Sequence, residues 1–187
     1  EKNRLPLEQL ETAGIEYLIN PLNKKLTENE LADMVADFDV IIAGTESISN
    51  YVMERASKLK MISRVGIGLD SVDLLAAERR GIKVSYTPDA PAPAVAELTI
   101  GLLITLLRSA QLSNIEMHKG LWKRYFGKRI ANTTIGVIGL GRIGERVLNR
   151  LKVFGTPRLL VNDLSKNFEL DRKFKLEWVD KETIYKE

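Results

Sequence analysis

The amino-acid sequence predicts an α/β protein built on two parallel sheets. Three observations carry that expectation: short apolar runs alternate with helical segments, glycines and prolines punctuate them, and one Pro-rich stretch divides the chain. With 187 residues, 44% hydrophobic and 28% charged, the chain has the composition of a globular protein able to bury a sizeable core.

The elements follow in order. Pro6 and Gly14 bracket a short helix over residues 7–13, and residues 15–19 read as a strand. Thr27 and Glu30 have capping-box spacing, and Leu31, Met34, Val35 and Phe38 continue at helical period into the β-like run Val40-Ile41-Ile42. The pattern repeats as a helix over 49–58, a strand over 61–65, a helix over 73–80 closed by Gly81, and a strand over 82–86. Three prolines within residues 88–93 forbid regular structure there, so the boundary is expected between a domain of residues 1–89 and one of residues 90–187. A long amphipathic helix is expected next, with Val95, Leu98, Leu102, Leu106 and Leu107 on its buried side, running to Lys119 before Gly120. Residues 122–133 read as a loop, 134–138 as a strand, 142–154 as a helix stopped by Gly155, 158–162 as a strand, and 179–187 as a terminal helix with no strand after it.

The chemistry centres on Gly139-Leu140-Gly141-Arg142-Ile143-Gly144, which lies between a strand and a helix with a second strand beyond. In that context the G-x-G-x-x-G pattern predicts a dinucleotide site. Gly139 permits the tight turn, Gly141 lets backbone approach a diphosphate, and Gly144 lets helix and strand pack closely. The amides of Arg142 and Ile143 and the helix dipole favour an anion there. Asp163 ends the second strand at the spacing of the acid that accepts hydrogen bonds from the adenosine ribose. It points to NAD, because a 2′-phosphate beside this carboxylate meets a repulsion of about 4 kcal/mol per charge pair before screening. Lys166 nearby leaves NADP open, and a unit of this kind that binds S-adenosylmethionine, or no ligand, is the plainer alternative.

These residues belong to a wider pattern. Arg64-Val65-Gly66-Ile67-Gly68-Leu69-Asp70 with Val72-Asp73, Gly81-Ile82, Thr87-Pro88, Val95-Ala96-Glu97-Leu98-Thr99 with Gly101-Leu102, Gly120 with Trp122, and the glycine motif together resemble the D-isomer-specific 2-hydroxyacid dehydrogenases over nearly the whole chain. The phosphoglycerate dehydrogenases of that family look nearest, then the glyoxylate and hydroxypyruvate reductases. The resemblance implies a flavodoxin-like substrate domain and a Rossmann NAD-binding domain, both incomplete here, with the active site in the cleft between them. It implies that backbone around Gly66, Ile67 and Gly68 receives the substrate carboxylate, with Ile67 near the nicotinamide. Without the family, Gly66 and Gly68 read as a strand-to-helix turn.

The resemblance also implies hydride transfer between NAD and a small 2-hydroxy or 2-keto acid, with a His–Glu pair moving the proton and an Arg holding the substrate. Those three residues are expected beyond Glu187 and the family's first strand before Glu1, so no catalytic residue is assigned here and the segment alone is expected to be inactive. His118 reads as a helix-terminus residue. Ser71, Pro91 and Ala43 depart from residues common in the family, Ala43 from an Arg of some phosphoglycerate enzymes, and Thr156-Pro157 looks like a one-residue lengthening. An NAD-sensing protein akin to the family's corepressor relatives is an alternative, as is a bare nucleotide-binding module.

Other classes fit poorly. Without cysteine there is no disulfide, thiolate metal site or Cys nucleophile, and no metal is expected. A net charge of +3, with Lys and Arg dispersed, gives no nucleic-acid footprint. Residues 98–107 are too few to span a bilayer and read as a buried helix, so no membrane partner is expected and a cytoplasmic location fits; the family resemblance implies a homodimer through the long helix and its flanks.

Overall fold

A computed structural model describes residues 3–155 and 158–187; the expected lengthening at Thr156-Pro157 lies outside them. The chain forms two compact units, Glu1–Tyr86 and Thr87–Glu187. Each carries a three-stranded parallel sheet.

In the first unit, α1 (Leu5–Thr12) starts with Pro6 in its first turn, where the absent amide proton costs nothing. Residues 15–19, expected as a strand, form none. Their apolar character supplies a strand pattern but no described strand lies alongside, and Ile15, Leu18 and Ile19 stay more than half exposed. α2 (Glu28–Met34) opens with the expected capping box: Thr27 Oγ1 accepts from the Glu30 amide, and Glu30 Oε2 accepts from the Thr27 amide at 2.9 Å.

The sheet runs β1 (Val40–Ala43), β2 (Met61–Arg64), β3 (Lys83–Tyr86) in chain order, with Val40 beside Met61 and Met61 beside Lys83. α3 (Asn50–Arg55) is shorter than the periodicity suggests, because Ala56 leaves helical geometry and its carbonyl accepts the Leu59 amide. α4 (Leu74–Arg79) is capped by Asp73, whose carboxylate accepts the Ala76 amide at 2.9 Å. Ile48, Val52, Met53 and Ile62 are almost wholly buried and form the centre of this unit's core.

The second unit begins with α5 (Ala92–Leu107), which starts inside the Pro-rich stretch, since Pro93 fits a first turn. The long helix expected to reach Lys119 is broken: α5 ends at Leu107 and α6 (Ala110–His118) leaves at 66°. Ser109 adopts a left-handed φ of 51°, and the Lys128 amide donates to the Leu107 carbonyl, satisfying an acceptor that a continuing helix would have used. The buried face also differs from the one expected. Ala92, Ala96 and Ile100 face inward and Leu107, as expected, packs partly buried against the same core, while Val95 is exposed and Leu98, Leu102 and Leu106 are 59% exposed or more. Small Ala96 and the Glu97–Arg150 ion pair at 2.7 Å set the phase by letting α5 lie against α7 (Arg142–Lys152). No single helix among the described residues is long and apolar enough to cross a membrane.

β4 (Thr134–Ile138), β5 (Arg158–Asn162) and β6 (Glu177–Trp178) form the second sheet, again in chain order. Sequence reasoning missed α8 (Phe168–Phe174) and β6, so β5 is followed by a helix and a strand before α9 (Lys181–Lys186) closes the chain. Asn167 caps α8 by accepting the Glu169 and Leu170 amides, and Leu170 and Phe174, four residues apart, bury against Leu148, Leu151 and Val161.

Candidate functional site: the glycine turn at the start of α7

β4 delivers the chain to Gly139, whose φ of 90° turns it back toward α7. The three motif glycines are required for three different reasons. Gly139 is required by its backbone angle, which side chains with a Cβ rarely adopt. Gly144 is required by packing, because a Cβ there would lie 1.9 Å from the Gly139 carbonyl oxygen. Gly141 is required by neither. Its φ is −72°, and a Cβ would meet no protein atom within 4 Å. The space beside Gly141 is therefore open, at the point where the helix begins.

That helix begins without a side-chain cap. Gly141 is the N-cap residue, and the first helical bond is Glu145 N–H to the Gly141 carbonyl at 3.0 Å. The amides of the first turn, those of Arg142 and Ile143 among them, have no acceptor within the helix and lie at the positive end of its dipole. Such a helix start favours an anion. Three arginines follow at four-residue spacing on α7. Arg142 Nε lies 3.1 Å from Asp89 Oδ1, Arg146 Nη2 lies 4.0 Å from the same oxygen, and Arg150 pairs with Glu97. Asp89 is not foreseeable as a neighbour of the turn from the sequence, since it is remote from Arg142 along the chain and no spacing rule links them.

Asp163 follows β5 directly and stands half-buried beside the turn. Its Oδ2 accepts the Leu140 amide and its Oδ1 the Leu164 amide, each at 2.6 Å. The Leu140 and Leu164 amides, which favour the ionised form, hold its carboxyl below the ordinary carboxylate range. The Gly139 amide donates to the Asn162 carbonyl at 2.8 Å, so the turn is tied to the end of β5 at two successive residues. A cavity of about 460 Å³ borders the turn itself, lined by Gly139, Ile143 and Gly144 of the motif with Thr99, Leu103 and Val147; its largely apolar walls do not suit a phosphate.

In the first unit, Gly66, Ile67 and Gly68 follow β2. Gly66 has a φ of 143°, and a Cβ on it would lie 2.7 Å from Arg64 Nη1, so the guanidinium folds over this turn. Arg64 Nη1 donates to the Val65 carbonyl, and Ile67 is 47% exposed. The turn is anchored at both ends: the Val65 amide donates to Ala43 O at 2.9 Å, and the Ile48 amide to Ser71 O at 2.7 Å. The single histidine, His118, is the last residue of α6, with Nδ1 2.9 Å from the Asn114 carbonyl oxygen. Among the described residues no three His, Cys, Asp or Glu side chains gather to hold a metal.

Residues 5–186 match the catalytic domain of the D-isomer specific 2-hydroxyacid dehydrogenases. The chain belongs to that family. It is 42% identical over 134 residues to a D-3-phosphoglycerate dehydrogenase of Methanocaldococcus jannaschii, a stretch covering 70% of this chain and 25% of that protein. It is 34% identical over 168 residues to a hydroxypyruvate reductase of Thermotoga maritima, covering 88% of this chain and 54% of the other. The apo-structure of D-lactate dehydrogenase from Escherichia coli superposes with a TM-score of 0.81 at 29% identity, over 97% of this chain and 59% of that one. The chain thus spans between a quarter and about three-fifths of these proteins, which are named for different activities.

Proposed function

We propose that this chain is the part of an NAD-dependent D-2-hydroxyacid dehydrogenase that holds the dinucleotide, with residues 1–89 contributing to the substrate domain and 90–187 to the cofactor domain. The observation that carries the reading is the open space at Gly141. Neither backbone angle nor packing accounts for a glycine there, whereas a diphosphate approaching the first amides of α7 does. Gly139, Gly141, Arg142, Ile143 and Gly144 would grip the diphosphate, and Asp163 would accept from the ribose hydroxyls and disfavour a 2′-phosphate. NAD would supply the hydride acceptor when bound. The turn at Gly66, Ile67 and Gly68, with the Arg64 guanidinium beside it, suits a substrate carboxylate.

Phosphoglycerate is the substrate favoured by the identity to the archaeal dehydrogenase. Ala43, where some phosphoglycerate enzymes carry an arginine, and the longer match to the hydroxypyruvate reductase support a hydroxypyruvate or glyoxylate reductase as the second reading. Exposed Leu98, Leu102 and Leu106 on α5 and Trp122 after α6 support a homodimer paired through this region. Calorimetric titration tests the cofactor reading: the 187-residue chain should bind NAD at one site at least tenfold more tightly than NADP, and equal affinities would remove the ribose assignment. Incubated with NAD and any D-2-hydroxy acid, the same chain should form no NADH at a rate above the blank.

A further inference from the structure

We propose that Asp163 is a positioning residue for the glycine turn itself, so that its carboxylate supports diphosphate binding independently of any contact with the ribose. This rests on the dinucleotide reading above and assigns the acid a second task. The Leu140 amide lies between the first two motif glycines, and its proton goes to Asp163 Oδ2 at 2.6 Å. The other oxygen takes the Leu164 amide, so the carboxylate bridges the residue after β5 to the middle of the turn. Gly139 and Gly141 supply no side chain to hold the intervening segment. A Cβ on either would meet nothing within 4 Å, and the one side chain between them, that of Leu140, is 7% exposed and packs in the core of this unit. Beyond that anchor, two hydrogen bonds orient the backbone of the turn against the end of β5: Gly139 N–H to Asn162 O, and Leu140 N–H to the Asp163 side chain.

A glycine-flanked peptide that loses its hydrogen bond samples more backbone states even with its side chain buried, and ordering it on binding costs affinity. A carboxylate has about four acceptor positions, so it can keep both amides and still accept a ribose hydroxyl. An amide side chain cannot replace it fully. Asn has one acceptor oxygen, and its NH₂ would face whichever backbone N–H was left. Cofactor preference therefore cannot be switched from NAD to NADP at Asp163 alone without loosening the diphosphate grip.

The test uses ADP and 2′,3′-dideoxy-ADP, which lacks both ribose hydroxyls. Wild type should bind both, ADP more tightly. Asp163→Ala should lose about tenfold on dideoxy-ADP, and Asp163→Asn a smaller factor, with unfolding midpoints showing that both variants remain folded. Removal of a negative charge near a diphosphate would by itself tighten binding, so the sign separates turn order from electrostatics. If Asp163→Ala binds dideoxy-ADP as well as wild type or better, and loses only on ADP, the positioning role is wrong and the ribose reading stands. If wild type binds the two nucleotides equally while Asp163→Ala loses on both, the ribose reading fails and the positioning role survives. Amide exchange at Leu140 in the unliganded chain is the second readout. Faster exchange in Asp163→Ala supports the role even if neither nucleotide binds, and an unchanged rate overturns it.

Discussion

The chain turns on glycine twice at the end of a parallel strand, after β2 and after β4, and the two turns are built differently. After β4 a helix of 11 residues begins within one short turn, so the open amides, the packing glycine and the acid of the next strand all belong to one strand-turn-helix unit. After β2 a longer connection, from Val65 to Asp73, precedes α4, a helix of 6 residues. The turn there is held by the segment between β1 and α3. Ile48, fully buried, bridges to Val72, donating to Ser71 O and accepting from the Asp73 amide at 3.0 Å. Both turns are held across 23 residues, Leu140 to Asp163 and Ile48 to Ser71; the first announces itself because its partner is an acid at the fixed place where the next strand ends, whereas Ile48 holds the second through its backbone, which leaves no residue type to read.

The contrast predicts different failures. The largest is at Gly144→Ala, where the new Cβ would meet backbone that cannot swing aside. A cost of about 3 kcal/mol is expected, at the upper end of ordinary overpacking, with a fall of roughly 10 °C or more in the unfolding midpoint of the second unit. A midpoint indistinguishable from wild type would show that the turn has slack. Gly66→Ala should cost about 1–2 kcal/mol, through its backbone angle, and should leave nucleotide affinity at the other turn unchanged. Its Cβ would meet the Arg64 guanidinium, a flexible group, which keeps the steric part small.

Acid should loosen both units through different carboxylates. Glu30, lowered to about 2 first by Lys24 and then by the Thr27 amide and hydroxyl, contributes stability that is full above its ordinary value of 4.5 and lost as pH falls toward 2. Asp163 is also lowered, so the turn it holds should loosen over a window beginning at the ordinary carboxylate range and extending below it. Chemical shifts of the Thr27 and Leu140 amides followed from about pH 6 downward should report the two events, and a Leu140 shift that does not move would detach Asp163 from the turn. The smallest effect is expected at Asp89→Asn. Freed from Asp89, Arg142 and Arg146 should bind ADP about two- to threefold more tightly at low salt, a difference that roughly 0.5 M NaCl removes. Weaker ADP binding in this variant would instead make Asp89 a guide for Arg142.

Much of this was legible in the residues. The capping box at Thr27 and Glu30, the helix beginning near Asp73, the glycine turn and the acid after β5 all depend on neighbours a few residues away or on a fixed strand spacing. What escaped depends on partners remote in sequence. The stripe of large leucines on α5 suggests one buried face, but α7 selects the face with Ala96 because a small residue lets the helices approach. The break at Ser109 reflects the loop at Lys128 reaching back to Leu107. Gly136 reads as an unremarkable strand residue, yet a Cβ on it would stand 2.2 Å from Ile184 Cγ2, so it makes room for α9. α8 and β6 are short, and the cues for α8, Asn167 with Leu170 and Phe174, are weak beside the charged residues around them.

Gly141→Ala tests the central claim most directly, because the chain itself gives no reason for glycine at that position. Titrated with NAD beside wild type, the variant should unfold at the wild-type midpoint while losing at least tenfold in affinity, as a methyl group takes the space meant for the diphosphate. A Gly141→Ala chain that binds NAD as tightly as wild type would contradict the account.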